Sequence, residues 1–245
     1  YNTATFTIGQ TTPTITWSNP ANITYGTALG GTQLNATASV PGTFTYTPSA
    51  GTILNAGSGQ NLHVDFVPTD TATYTNASAD VTINVNKAVL TVVADNQSIN
   101  FGDPDPAFTF TYSTFVPGDT SADIDTPPTC TVSGPHTNVG TYPIVCSGGT
   151  DNNYSFSYVN GTLSVGLVSQ TITINTPAPG TLLFPGNSFT VAATASSGLP
   201  VVYSASGACT NSGATFTMTA GTPGVCTVVY DQPGNANYGP APQLT

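Results

Sequence analysis

The sequence predicts an all-β protein built from three small β-sandwich domains in tandem. Three features predict it. The composition is poor in helix formers. Short runs alternate apolar and polar residues. A tyrosine-bearing pattern recurs about every eighty residues.

Single domains usually hold about 100–150 residues, so 245 residues allow two or three. Thr, Ser, Asn and Gly replace charged residues, which make up only 5% of the chain. β-Branched Thr suits an exposed pleated surface, and 25 Gly with 20 Pro suit short strands joined by tight turns. A polar, Gly/Pro-rich chain can fail to collapse, but 38% hydrophobic residues in alternating runs favour folding. Lys87 is the only basic residue, and eleven Asp give a net charge of −10. With no basic patch, attraction to nucleic acid phosphates is excluded as a working hypothesis, and the same lack argues against binding an anionic membrane surface. No signal peptide, apolar spanning stretch or anchor motif occurs, so the chain is read as mature, excerpted, or both.

The elements follow in order. Tyr1 to Ile8 alternate, with Ala4, Phe6 and Ile8 on one face, and Gly9 to Pro13 form a connector. Residues 1–10 therefore read as the closing strand of a preceding unit. The first domain, 11–87, contains the alternating runs Thr14–Trp17, Gly42–Tyr46, Asn61–Phe66 and Asp80–Val85. In the third run Leu62, Val64 and Phe66 share a face, which leaves His63 on the other. The second domain spans 88–166. The third spans 167–245 and lacks its last strand. Turns carry Pro-Gly at Pro41-Gly42, Pro117-Gly118 and Pro223-Gly224, and no stretch has helical period.

Tyr74, Tyr154 and Tyr238 end the three units, 80 and 84 residues apart. Each resembles the tyrosine corner of immunoglobulin-like sandwiches, where the phenol pins a loop crossing between sheets. Joining Thr245 to a following Tyr1 would set the next tyrosine 81 residues on. Two arrangements satisfy this spacing. The chain is one period of a longer polypeptide, or separate subunits join by strand donation, the N-terminal strand of one completing the open third sheet of the next.

Four cysteines fall in two close pairs, Cys130/Cys146 and Cys209/Cys226. Neither has zinc-ligand spacing, and an even count in such a chain points to disulfides and an oxidising compartment. Each bridge would add about 3 kcal/mol on the chain-entropy view. Buried free thiols are the competing reading.

The middle unit carries Phe101-Gly102-Asp103-Pro104, Phe115-Val116-Pro117-Gly118-Asp119-Thr120, Pro128-Thr129-Cys130-Thr131, Val139-Gly140-Thr141-Tyr142, Asn153-Tyr154 and Tyr158–Val165. It resembles the MBG domain of the YGX type over residues 88–166, with Phe101 where that family usually has Tyr. The flanking units are similar to bacterial immunoglobulin-like repeats. Ile23–Leu29 and Gly42–Tyr46 carry the likeness in the first, Ser206–Cys209 and Gly224–Val228 in the third. The resemblance implies repeats of large bacterial surface proteins and no catalytic residues.

The chemistry inventory is thin. His63 and His136 sit near no nucleophile elbow, so neither reads as a catalytic base. Asp119, Asp123 and Asp125 share one loop and are weak candidates for calcium. That ion takes roughly six to eight oxygens, and no Glu exists to bind it bidentately. Turn-forming Asp is the plainer reading. No carboxylate pair stands out for glycoside hydrolysis. Trp17, Tyr46 and Phe115 could stack on sugars, though burial suits them better. Asn22, Asn35, Asn76, Asn96, Asn153 and Asn160 lie in N-x-S/T sequons, a cheap motif in a Thr-rich chain. The expectation is a non-enzymatic, cofactor-free component of an extracellular surface filament or stalk. Its partners would be copies of itself, head to tail. The alternative is an adhesin module binding a glycan or protein receptor through loops. No nucleic acid and no direct membrane insertion are expected.

Overall fold

The computed structural model describes residues 8–180, 184–219 and 224–245. Ala4 and Phe6 lie outside the described residues, and Ile8 is 94% exposed. Among the described residues the chain is all-β, with twenty strands and one short 3-10 turn, Ser121–Asp123. No helix among them is long and apolar enough to cross a membrane.

Residues 11–87 form β1 (Ile15–Thr16), β2 (Ile23–Thr24), β3 (Thr37–Ala38), β4 (Gly42–Thr47), β5 (Gly57–Pro68) and β6 (Ala77–Asn86). β1 pairs with β3, and the other four make a sheet of order β2-β6-β5-β4. The alternation in the sequence sets its faces. Leu62, Val64 and Phe66 of β5 are buried, as are Val81, Ile83 and Val85 of β6. Leu62 and the β6 residues pack with Ile23, Leu29 and Leu34, and Trp17 and Tyr46 lie against that core. Trp17 donates its indole N–H to the Gln33 carbonyl, and the Tyr46 hydroxyl accepts from the Ala36 amide.

Residues 88–166 form β7 (Ala88–Ala94), β8 (Gln97–Asn100), β9 (Phe110–Tyr112), β10 (Thr129–Val132), β11 (Gly140–Ser147), β12 (Tyr154–Val159) and β13 (Gly161–Gly166). They make sheets of order β12-β7-β9 and β10-β11-β13-β8. The strand after each tyrosine plays a matching part. β6 pairs in parallel with β2 and antiparallel with β5, and β13 pairs in parallel with β8 and antiparallel with β11.

Residues 167–245 form β14 (Ile172–Thr176), β15 (Ser188–Thr190), β16 (Ala192–Ala195), β17 (Val202–Gly207), β18 (Cys209–Ser212), β19 (Thr215–Met218) and β20 (Cys226–Asp231). The sheets are β14-β16, β15-β19-β18 and β17-β20. One core draws on all three: Ile172, Cys209, Phe216, Val228 and Tyr230 pack together, with Phe216 fully buried. β20 meets β17 on one side, and an isolated bridge joins Tyr230 to Leu244.

By packing, the chain divides into two compact units. The first runs through Ala94 and adds Phe110–Cys130 and Cys146–Val159. The second comprises Asp95–Thr109, Thr131–Val145 and Asn160–Thr245.

Both cysteine pairs are disulfides. Cys130–Cys146 joins neighbouring strands β10 and β11 of one sheet. Cys209–Cys226 joins β18 to β20, so it ties two sheets of the third segment across its core. Replacing Cys209 and Cys226 together by Ser should lower unfolding free energy by about 3 kcal/mol in urea titrations. A loss below about 1 kcal/mol would mean that strand packing alone fixes this segment.

Candidate functional site

The recurring tyrosines direct attention to the places where one eighty-residue segment gives way to the next. β6 ends at Asn86 and β7 begins at Ala88, so Lys87 alone separates them. Both neighbours of Lys87 are held by backbone hydrogen bonds. The Tyr25 amide donates to the Asn86 carbonyl (2.8 Å), and the Ala88 amide donates to the Asn153 carbonyl (2.9 Å). The second junction repeats this. β13 ends at Gly166, and Leu167 leads to Val168, which bridges Tyr238 in parallel. The Phe101 amide donates to the Gly166 carbonyl (2.9 Å), and the Val168 amide to the Asn237 carbonyl (3.0 Å). Two residues of extended chain span only about 7 Å. The aromatic held on one side must therefore meet the tyrosine held on the other.

They do meet. Tyr25 and Tyr154 pack edge to face with ring centroids 5.5 Å apart, and Phe101 and Tyr238 do so at 5.6 Å. Such contacts favour this geometry through the ring quadrupoles. Each tyrosine is presented by the same local turn. The Asp151 carboxylate accepts from the Asn153 and Tyr154 amides (2.7 and 2.8 Å), and the Asn235 side chain accepts from the Asn237 and Tyr238 amides (2.8 and 2.9 Å). Asx side chains form such turns because their short acceptor reaches the backbone two and three residues on.

The residue before each tyrosine completes the joint. Asn153 Oδ1 accepts from the Ala56 amide (2.8 Å), and its Nδ2 donates to Asn55 Oδ1 (3.4 Å). Asn237 Oδ1 accepts from the Val139 amide (3.1 Å), and its Nδ2 donates to Asn138 Oδ1 (3.3 Å). One carboxamide thus grips an Asn-Ala-Gly or Asn-Val-Gly loop of the preceding segment in each case.

The first junction has more. Asp119 Oδ2 accepts from the hydroxyls of both Tyr25 and Tyr154 (2.8 Å each), and the Tyr154 hydroxyl accepts from the Val116 amide (2.9 Å). Tyr154 is buried with Leu90 and Ile124, and Phe115 and Val116 pack against them. Gly26 has φ +93°, and a Cβ there would lie 2.7 Å from Val116 Cγ2, so glycine is required twice over. Lys87, the one Lys or Arg in the sequence, donates to the Asp151 carbonyl at this joint (2.6 Å). Burial first, then the bond to Asp119, pushes both phenols up to about 12.

The other sequence candidates fall elsewhere. Tyr74 bridges Thr11 in parallel, as Tyr238 bridges Val168. Of the three tyrosines, Tyr154 is the one whose hydroxyl has a partner among the described residues. Asp123 accepts from the Thr120 amide and hydroxyl and Asp125 from the Asn152 amide, so these two flagged carboxylates serve loop hydrogen bonds, while Asp119 holds the two phenols of the first junction. Among the described residues no three His, Cys, Asp or Glu side chains converge. His63 faces Asp80 and Asp65, and His136 faces the Gly134 carbonyl and Asp105. Each ring thus meets two acceptors, which favours the doubly protonated form, and the pKa of each is raised. Of the sequon residues, Asn153 is committed to the first junction.

Sequence reasoning named Tyr154 and Tyr238 but missed their partners Tyr25 and Phe101 and the gripping Asn153 and Asn237. The signal was present. Asn-Tyr recurs at Asn153-Tyr154 and Asn237-Tyr238, and aromatic-Gly at Tyr25-Gly26 and Phe101-Gly102.

The raised phenol pKa values give a signed expectation. A phenol whose folded pKa lies above 10 contributes stability that is complete below pH 10 and is lost as pH climbs toward 12. In a spectrophotometric titration Tyr25 and Tyr154 should ionise among the last of the eleven tyrosines. Asp119→Ala should move both downward, because the carboxylate that opposes phenolate formation is gone. It should also destabilise the fold by about 1–3 kcal/mol through the orphaned hydroxyls. An unchanged late titration in that variant would leave burial as the sole cause.

No curated protein matches the chain. The family comparison covers the stretch that holds Phe101-Gly102, Asp119, Asn138 and the Asn153-Tyr154 dipeptide. The middle segment, over residues 90–164, matches the MBG domain (YGX type).

Proposed function

We propose that the chain is a non-catalytic structural length of an extracellular surface stalk or filament. It consists of three immunoglobulin-like sandwich domains, 11–87, 88–166 and 167–245. The observation that carries this reading is the twofold recurrence of one joint: a single-residue linker, an Asx turn presenting a tyrosine, and an aromatic-glycine turn receiving it. A joint built twice to one plan suits a part whose task is to hold successive domains in a set order. Every named sheet draws its strands from a single segment, which supports the three-domain division. The MBG match and the two disulfides support a surface location in an oxidising environment. The adhesin alternative gains little from the aromatics: Trp17, Tyr46 and Phe115 are half-buried and pack against cores.

Single-molecule pulling tests the mechanical reading. Three unfolding events are expected, one per domain. Reduction should lengthen two of them by about 55 Å each, as the sixteen- and seventeen-residue disulfide loops are freed, and leave the cysteine-free first domain unchanged. A single event for the whole chain would overturn the tandem reading.

Strand completion is the finer part of the proposal. The side of β20 that Leu244 touches corresponds to the place filled by β6 beside β5 and by β13 beside β11. An alternating strand of the Ala4, Phe6, Ile8 type would fit there. Deleting residues 1–9 should abolish head-to-tail assemblies seen by electron microscopy. Assemblies that persist unchanged would remove this mode of joining.

A further inference from the structure

One side of β20 is covered by β17. On the other side the Tyr230 amide donates to the Leu244 carbonyl (2.8 Å), and the Leu244 amide donates back to the Tyr230 carbonyl (3.1 Å). In an antiparallel ladder the backbone groups of alternate residues point to the same side. Those of Val228 and Cys226 therefore point where those of Tyr230 do, and among the described residues no strand meets them there. Val228 is buried, so its open rung lies in apolar surroundings, where an unpaired N–H or C=O is costly. Beside these rungs lies a groove of about 290 Å³, lined in part by Ile174, Cys226, Val228 and Tyr230.

The other two segments show what fills this place and in which register. A residue held beside each tyrosine fixes the count: Ala88 pairs with Tyr154, Val168 with Tyr238 and Thr11 with Tyr74. Three residues before Ala88 and Val168 stand Val85 and Val165, paired with Gly57 and Gly140. Three residues before Thr11 stands Ile8. Gly140 lies fourteen residues before Tyr154, and Gly224 lies fourteen before Tyr238. In β13 and β11, Gly161 lies opposite Ile144, Leu163 opposite Tyr142 and Val165 opposite Gly140. By the same count Ala4 falls opposite Val228, Phe6 opposite Cys226 and Ile8 opposite Gly224. The sizes agree. A small residue, Gly161 or Ala4, faces the buried Ile144 or Val228, and larger ones follow.

We propose that the groove beside β20 is a peptide-binding site for an extended segment whose alternate residues are small, aromatic and aliphatic, and that its occupant is Ala4–Ile8 of a second copy in this register. This rests on the strand-completion reading and assigns its rungs. Val228 and Cys226 each exchange two hydrogen bonds, with Ala4 and Phe6 respectively. The Phe6 ring enters the groove beside Cys226, and Thr5 and Thr7 face outward. A strand running on directly from Leu244 through Thr245 and Tyr1 would turn Ala4, Phe6 and Ile8 to the outer face, because a shift of one residue reverses every side chain. A segment that enters separately is free of that phase, which is why the occupant comes from another copy.

A synthetic peptide of residues 1–9, added to the full chain carrying Phe6→Asp, tests this. That chain keeps the groove but cannot fill its neighbour's. In nuclear magnetic resonance spectra the amides of Val228 and Cys226 should exchange with solvent about tenfold more slowly, or slower still, once peptide is bound. The amides of Thr227 and Val229, which point to β17, should be unaltered. Thr5 and Thr227 form a non-hydrogen-bonded pair in this register, so a nuclear Overhauser contact should join their Hα atoms. Phe6→Asp in the peptide should weaken binding about tenfold or more, and Thr5→Asp about twofold at most. A contact from Thr3 or Thr7 to Thr227 instead would overturn the register and leave strand completion standing. No protection of Val228 and Cys226 would overturn the site. If deleting residues 1–9 still abolished assemblies, strand completion would then stand with a different acceptor; if it did not, both would fall.

Discussion

The linkers are the constraint on which the joints depend. The strand that closes one segment is separated by a single residue, Lys87 or Leu167, from the first residue held by the next, Ala88 in β7 or Val168 in its bridge to Tyr238. Each end of that passage is fixed in a hydrogen-bonded ladder. A flexible linker would let domains reorient, and even a short one would spread their positions over many ångströms. With both flanking residues fixed, the backbone decides which loops meet, and side chains only refine the contact. This is why Asn153-Tyr154 and Asn237-Tyr238 face the same kind of loop although the segments share little else in sequence. Each of the two compact units contains one complete joint: Tyr25, Asn55 and Tyr154 in the first, and Phe101, Asn138 and Tyr238 in the second.

The scarcity of charge shapes how these contacts are made. With one Lys and no Arg, the usual surface ion pairs are unavailable, and the ion pairs among the described residues are those of His63 and His136 with Asp. Exposed ion pairs contribute little in any case. Their place is taken by short-range hydrogen bonds of Asp and Asn to backbone amides, whose geometry is set by sequence spacing of two or three residues. Asp151 and Asn235 do the same work at the two joints, one charged and one neutral, because the turn needs an acceptor oxygen and not a charge.

Much of the fold was legible in the sequence because period-two alternation is a local signal. β4, the middle of β5 and most of β6 fall where alternation put them, and the buried faces are the ones it named. The cysteine pairs were legible by proximity. What alternation could not give was strand order. β2 with β6 and β8 with β13 pair in parallel across sixty residues or more, and nothing local encodes such a partner. The candidate site was half legible for the same reason. Tyr154 stood out by its repeat spacing, whereas Tyr25 lies 129 residues away and becomes its partner only through the ladder around Lys87. Asp119 was noticed for its charge and read as a loop former. Its two phenol partners come from different segments, which no single segment's sequence reveals.

The two joints share a plan but not a stiffness. In the first, Asp119 ties both tyrosines to the loop that begins at Val116, and Gly26 sits so close to Val116 that no side chain fits between them. In the second, Gly102 has open space where a Cβ would point, and no carboxylate bridges Phe101 and Tyr238; phenylalanine has no hydroxyl to share. The replacement of Tyr by Phe at position 101 therefore has a physical consequence beyond one lost oxygen. It removes the group through which a carboxylate could clamp the two rings, leaving ring packing and the Asn237 carboxamide to hold the joint. Bending under load should concentrate at the Leu167 joint before the Lys87 joint yields, since the bonds absent from the second are the directional ones that resist tilting.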